Sequence, residues 1–236
     1  MDKVIEIKNL NFTFPDGHRG LTNVDLSVCP GENVAVIGPN GAGKTTLLLH
    51  LNGILRGNST VKICGLPVEE EHLKEIRKRV GLIFQDPEDQ LFSLNVFDDI
   101  AFGPINMGYS ELEVKERVAR ALKWVGMDGY EQRLPHHLSF GEKKRIAIAT
   151  VLSLDPEVLV IDEPTSNLDP RSKWSLIELL RAFPMTKIIA THDLDLVRAL
   201  CGRTIVMDGG KVAIDGNTED ILDDTPLLKA HGLAPQ

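Results

Sequence analysis

Gly38-Pro39-Asn40-Gly41-Ala42-Gly43-Lys44-Thr45 is the stretch on which the fold turns. Its spacing, G-x-x-x-x-G-K-[ST], puts glycines where a loop curls with its backbone N–H groups turned inward around phosphate oxygens. Lys44 would reach the terminal phosphates and Thr45 would offer a hydroxyl to Mg²⁺. Upstream, Glu32-Asn33-Val34-Ala35-Val36-Ile37 reads as a buried strand leading into the loop. Downstream, Thr45–Leu51 reads as a helix, whose unpaired first N–H groups and dipole favour an anion. A chance glycine turn would have no reason to sit between such a strand and such a helix. Asn40, Gly41, Gly43, Lys44, Thr45 and Thr46 are therefore the expected nucleotide contacts in an α/β fold.

A second stretch fits the first. Val158-Leu159-Val160-Ile161 is an apolar run of the kind buried on both faces in a parallel sheet, and it ends in Asp162-Glu163, with Pro164 closing it. The end of a buried strand tolerates one polar residue, but nothing structural asks for two carboxylates. Beside a phosphate loop they suggest divided labour, with Asp162 in the Mg²⁺ shell and Glu163 polarising the attacking water.

These two elements suit many nucleotide enzymes, and a third narrows the class. Leu138-Ser139-Phe140-Gly141-Glu142, followed by Lys143-Lys144-Arg145 and the helical run Ile146-Ala147-Ile148-Ala149, resembles the signature motif of ABC-type ATPases. Gln85, after Val80-Gly81-Leu82-Ile83-Phe84, resembles their Q-loop. Ser166-Asn167-Leu168-Asp169 is similar to their D-loop, and Lys187 to Asp193 to their switch strand with its histidine, His192. The resemblance covers nearly the whole chain. It implies a P-loop NTPase (RecA-like) core with an antiparallel β-subdomain and an inserted α-helical subdomain. It also implies ATP hydrolysis in a head-to-tail dimer, where the P-loop of one subunit and Ser139 and Gly141 of the other hold each nucleotide, with Asp169 nearby. His192 would contact the γ-phosphate and keep the water or Glu163 in line, and Gln85 would join Thr45 and Asp162 around Mg²⁺. Phe14 stands where the family has an aromatic that stacks on adenine, with Phe12 a close competitor. The sequence departs from the usual signature at Phe140, a glycine in most members, and at Glu142, a glutamine. Glu142 could still accept hydrogen bonds from ribose hydroxyls.

Composition sets the outer limits. The chain has 236 residues and a net charge of −8, enough length for a sizeable core and no basic field for nucleic acid. No apolar stretch is long enough to span a bilayer, and the residues after Met1 lack a signal-peptide core, so the cytosolic side is expected. Cys29, Cys64 and Cys201 form no pair spacing and are read as reduced packing groups. The adjacent His136 and His137 have no acidic or cysteine companions and are not read as metal ligands. One ABC ATPase domain is expected over 1–236: a β-subdomain and P-loop half over 1–85, a helical subdomain over 86–149, and a second core half over 150–236. Val4–Leu10, Val24–Val28 and Val61–Ile63 alternate as half-buried antiparallel strands. Ser110-Glu111-Leu112-Glu113 is a capping box for a helix whose apolar face carries Val114, Val118, Ala121, Leu122 and Val125, and Met207 to Val212 reads as a hairpin.

The segment after Gln85, from Asp86 to Ser93 and then Val96 to Asn106, resembles ATPases of energy-coupling-factor transporters, which take up cobalt, nickel and vitamins. Leu91 and Phe92 are apolar in an acidic loop, as expected of a seat for a partner's helix or of a short helix covering its own core, and the resemblance favours the partner's seat. The resemblance implies a peripheral motor on the cytoplasmic face of the membrane. It would be paired with a second copy or a close paralogue and coupled to an integral membrane protein, with cobalt or nickel as the leading cargo. A motor for another importer or exporter is the alternative, and a soluble ABC ATPase a more distant one. The chain's end near His231-Gly232-Leu233 is early for the group, which often carries a further C-terminal segment holding the dimer, so a nucleotide-free dimer is expected to be weak.

Overall fold

A computed structural model describes residues 3–57 and 60–233. In chain order, β1 (Ile5–Thr13) and β2 (Arg19–Val28) are followed by β3 (Asn33–Ile37) and α1 (Lys44–Leu51). Then come β4 (Thr60–Ile63), β5 (Leu66–Pro67), α2 (Leu73–Arg79), β6 (Val80–Ile83), α3 (Val96–Met107), α4 (Glu111–Trp124), α5 (Phe140–Leu152) and β7 (Val158–Asp162). The chain finishes with α6 (Pro170–Ala182), β8 (Thr186–Ala190), α7 (Leu194–Leu200), β9 (Arg203–Asp208), β10 (Lys211–Asn217), α8 (Thr218–Asp223) and α9 (Thr225–Ala230).

The strands form two sheets. The antiparallel one runs β2-β1-β4-β5 and the other β10-β9-β3-β8-β7-β6, parallel except for β10. Side-chain alternation explains why the parallel strands read as unbroken apolar runs. On β3, Val34 and Val36 enter the core between the two sheets, while Ala35 and Ile37 enter the core under the helices. On β7, Val158 and Val160 face the first core and Leu159 and Ile161 the second. Both faces are therefore covered, which a strand of a parallel sheet requires. Helix α1 is buried through Leu47, Leu48 and Leu51 in the core shared with the antiparallel sheet, so the loop preceding it cannot drift.

Three helices occupy 96–152 and pack on one another. Ser110 and Glu113 make both halves of the capping box on α4, and Val114, Val118, Ala121 and Leu122 are its buried face. Fully burying such a side chain stabilises by about 1.5–3 kcal/mol. The hairpin expected at Met207 to Val212 forms between β9 and β10, turning on Gly209 and Gly210, both at positive φ. Small differences from the expected bounds have local causes. The P-loop strand starts at Asn33 rather than Glu32, whose N–H is taken by the Cys29 carbonyl at 3.3 Å in the preceding turn.

Candidate active site

The C-terminal ends of β3 and β7 open on one cavity of about 270 Å³, the place where a doubly wound sheet receives a ligand. Phe14, Asn40, Gly41, Gly43, Lys44, Thr45, Thr46, Gln85, Asp162 and Glu163 all line it. Gly43 caps α1 at φ 97°, and a Cβ there would stand 2.8 Å from the Gly20 carbonyl oxygen, so only glycine lets the loop close this tightly. The Lys44 ammonium donates to the carbonyls of Gly38 at 2.7 Å and Pro39 at 3.1 Å. An ammonium has three N–H donors, so one remains for an anion in the cradle. Phe14 is at the cavity wall and Phe12 stands behind it, edge-on to both Phe14 and His50 at 4.9 Å.

The carboxylates occupy different environments. Thr45 Oγ1 donates to Asp162 Oδ2 at 2.7 Å. Burial pushes the Asp162 carboxyl above its ordinary value, the Thr45 hydrogen bond pulls it back in part, and the neighbouring Glu163 pushes it up again. A buried carboxylate under that pressure, with a hydroxyl in contact and the Gln85 side chain on the same cavity, is a hard-oxygen donor set that suits Mg²⁺. Glu163 is held at φ 43°, a left-handed conformation uncommon outside glycine. Its Oε2 accepts from Thr191 Oγ1 at 3.1 Å and the His192 N–H at 3.4 Å, and lies 2.9 Å from His192 Nδ1. The His192 ring is otherwise open to solvent, with 71% of its side-chain surface exposed.

The remaining predicted residues are elsewhere. Ser139 and Gly141 line a separate cleft with Arg145, Leu168 and Ser172, which has no residue in common with the nucleotide cavity. Asp169 is the N-cap of α6, where it accepts the N–H groups of Arg171 and Ser172. Residues 21–166 match the family described as ABC transporter. The chain belongs to the ABC transporter ATP-binding family. Over 236 residues, covering 98% of this chain and 85% of the relative, it is 46% identical to the energy-coupling factor transporter ATP-binding protein EcfA of Methanocaldococcus jannaschii. It superposes with TM-score 0.85 and 36% identity on cbiO1 of Clostridium perfringens, part of the ABC transporter complex cbiONQ, over 99% of this chain and 96% of that one. A dimeric ATP-binding cassette in a post-hydrolysis state, bound to ADP and Pi, matches with TM-score 0.82 and 26% identity over 91% and 98% of the two chains. This ABC ATPase is accordingly an ATP-binding, ATP-hydrolysing subunit similar to those of the energy-coupling-factor type.

One sequence expectation needs correction, that Leu91 seats a partner, and the Glu142 carboxylate of this ABC ATPase is engaged within its own chain. Its Oε1 accepts from Tyr130 OH at 2.9 Å, and its Oε2 from the Ser139 N–H at 2.8 Å and the Ser139 hydroxyl at 2.7 Å. Ser139 and Glu142 are a capping box on α5, legible in the S-x-x-E spacing. Leu91 is half-buried against the helical core, so it covers the protein's own interior, whereas Phe92 stands 66% exposed. Three residues near the site escaped sequence reading. Thr191 was read only as part of the switch strand, with no sign of its bond to Glu163. His18 lies on the cavity wall, its ring stacked against Phe14 at 6.2 Å. Lys144 is 1% exposed, and its signal was a charge in register with the buried Ala147 and Ile148 of α5.

Proposed function

We propose that this chain is the motor of a membrane importer of the energy-coupling-factor type, working as a head-to-tail dimer with a second copy or a close paralogue. The carrying observation is that one chain has two half-sites in separate clefts, a phosphate cradle with its carboxylates and a signature serine at a helix N-terminus. Each is incomplete alone. Facing the cradle of one subunit with α5 of the other would close an anion cage around the γ-phosphate. On this reading Ser139 exchanges its bond to Glu142 for one to the nucleotide. Phe14 stacks on the adenine, and the backbone N–H groups of Gly41, Gly43, Lys44 and Thr45, with the Lys44 ammonium, hold the phosphates. Thr45, Asp162 and Gln85 would hold Mg²⁺, which would offset negative charge on the phosphates. Glu163 orients and polarises the attacking water, and His192 and Thr191 fix the carboxylate in place. Asp169 meets the partner's nucleotide edge.

The membrane-facing surface follows α3. Phe92, Leu94, Phe102 and Ile105 are exposed, and Phe92 and Phe102 meet edge-on at 5.0 Å. An apolar group of this kind on the segment that leaves Gln85 suits a short helix of an integral membrane partner. Among the described residues no helix is long and apolar enough to cross a membrane, which fits a peripheral subunit on the cytoplasmic face. The division into 1–85, 86–149 and 150–236 is kept as the functional parsing of the single domain. Cobalt or nickel is the proposed cargo, from the resemblance of the Asp86–Asn106 segment, and a vitamin is the alternative.

The test is Glu163→Gln. ATP binding should persist, turnover should fall by about 10²–10⁴, and ATP should trap a dimer that co-purifies with a multi-span membrane protein. Near-normal turnover would move the base elsewhere. Uptake of labelled Co²⁺ or Ni²⁺ by cells, abolished by Glu163→Gln, supports the metal cargo, and unaffected metal uptake with lost vitamin uptake replaces it.

A further inference from the structure

A lysine buried to 1% exposure is costly unless it is paired, and among the described residues no carboxylate makes an ion pair with Lys144. Its ammonium instead donates to two backbone carbonyls, that of Gln85 at 2.6 Å and that of Glu163 at 3.1 Å. Lys144 lies on α5, whose N-terminus carries Ser139, so one side chain joins the signature helix to the two segments that reach the chain's own nucleotide cavity. The aromatic ring of Phe140 covers its approach, 5.5 Å from the ammonium. Burial pushes Lys144 down to about 8, with the charges of Asp86, Asp162 and Glu163 opposing that fall.

The Glu163 carbonyl is where such a contact has leverage. The residue is held at φ 43°, and the direction of its carboxylate follows from the orientation of its two peptide groups. Its N–H is fixed by the Ala190 carbonyl at 2.8 Å, and its carbonyl accepts from the Ser166 hydroxyl at 2.9 Å and the Ser166 N–H at 3.3 Å as well as from Lys144, the one charged donor of the three. Without the ammonium, one charge-assisted anchor of a strained conformation is lost. The segment after Gln85 is tied to the same helix independently. Gln90 Nε2 donates to the Ala147 carbonyl at 2.8 Å and to Thr150 Oγ1 at 2.7 Å, and Lys143 pairs with Glu88. The signature helix and the Gln85–Gln90 segment thus form one body, and Lys144 is the link from that body to Glu163.

We propose that Lys144 is a positioning residue for hydrolysis: it holds the peptide of Glu163 and the backbone of Gln85 to the signature helix, so that the aim of the carboxylate and the seating of α5 are set together. This rests on the reading of Glu163 given above. It assigns Lys144 no contact with nucleotide, so its loss should separate binding from turnover.

The experiment is a double-mutant cycle between Lys144→Met and Glu163→Gln, with Lys144→Gln as the conservative variant that retains an N–H donor. Nucleotide affinity is read with a fluorescent ATP analogue, and turnover by single-turnover hydrolysis. Lys144→Met should bind the analogue within about 2-fold of wild type and lose about 10- to 100-fold in rate, with Lys144→Gln recovering a large part of the loss. In the Glu163→Gln background the same substitution should cost less than about 2-fold, because the group it positions is already gone. Rate losses that multiply would mark a general structural role and overturn the proposal, as would a normal rate in folded Lys144→Met. If Lys144→Met fails to fold, Lys144→Gln takes its place in the cycle: its loss should be smaller but measurable in wild type and absent in the Glu163→Gln background, and either no loss in wild type or losses that multiply would overturn the proposal. Normal turnover in Glu163→Gln alone would instead overturn the underlying assignment of the base, and this proposal with it.

Discussion

At the scale of single residues, side chains near the cavity are held by neighbours that do not line it. Asp193 follows His192, and its carboxylate accepts from Lys173 Nζ at 2.7 Å, Thr165 Oγ1 at 2.7 Å and the Leu196 N–H at 3.3 Å. Burial pushes this carboxyl upward, but those hydrogen bonds outweigh it and hold Asp193 below its ordinary value of 3.8. A carboxyl depressed in the folded state contributes stability that is complete above its unfolded pKa and is lost as pH falls through the folded one. Asp193→Asn should therefore lower the melting temperature at pH 7 while flattening its decline below about pH 4. Melting curves from pH 7 to pH 3 that run parallel to wild type would contradict this. Residues bound to spacing rules were legible in the sequence: Lys44, Thr45, Asp162 and Glu163 line one cavity as their motifs implied. The contacts of Glu142 and Lys144 were not legible, because what each touches depends on tertiary neighbours. Tyr130 for the one, and two carbonyls from distant segments for the other, leave no mark in local pattern.

Among the elements, the β9–β10 hairpin shows how a turn far from the chemistry supports the cradle. Asp208-Gly209-Gly210-Lys211 announced itself as a two-residue turn, and both glycines take positive φ, 52° and 75°. Their surroundings differ, which the sequence did not reveal. A Cβ on Gly209 meets nothing within 4 Å, whereas one on Gly210 would stand 2.7 Å from the Gly20 carbonyl oxygen, the same oxygen that crowds Gly43. Gly210 also donates to the Ala42 carbonyl and accepts from the Thr22 N–H, so the turn is stitched to the P-loop and to β2. Gly209→Ala should cost about 1 kcal/mol, the strain of a left-handed alanine. Gly210→Ala should cost about 2–4 kcal/mol in urea unfolding and weaken ATP binding several-fold, since backbone must move. Equal costs for the two would mean that the contact with Gly20 is slack. The helices of 96–152 were legible as a class from caps and periodicity, but which apolar side chains stay outside was not. Periodicity places Phe92 and Leu91 alike in an apolar pair, and only packing turns one inward and leaves the other exposed.

For the whole molecule the question is whether the two half-sites are completed within a chain or between chains. The six-stranded sheet carries the cradle at its strand ends, while α5 presents Ser139 and Gly141 in a different cleft, so the within-chain alternative requires the helical segment to travel to the nucleotide. Mixing two inactive chains separates the alternatives. Lys44→Ala disables the cradle and keeps the signature. Gly141→Asp keeps the cradle and puts a negative charge at the N-terminus of α5; the added Cβ meets Leu168 and Ser172 at 3.7 Å or more, ordinary contact, so the chain should fold. Each variant alone should hydrolyse ATP at the floor of the assay. Mixed in equal amounts, half the dimers contain one of each, and in those a single composite site is whole, the Gly141→Asp chain's cradle facing the Lys44→Ala chain's signature. Turnover should then return to roughly a quarter of wild type if the two sites act independently, and to less if both must fire. A mixture that remains at the floor while mixed dimers are present by native mass spectrometry would mean that both sites must be intact before either hydrolyses. A third pairing distinguishes that from completion within the chain. Wild type mixed with excess Lys44→Ala/Gly141→Asp double variant should lose activity by trapping in dead pairs on the between-chain reading, and should keep it in full if each chain closes its own site.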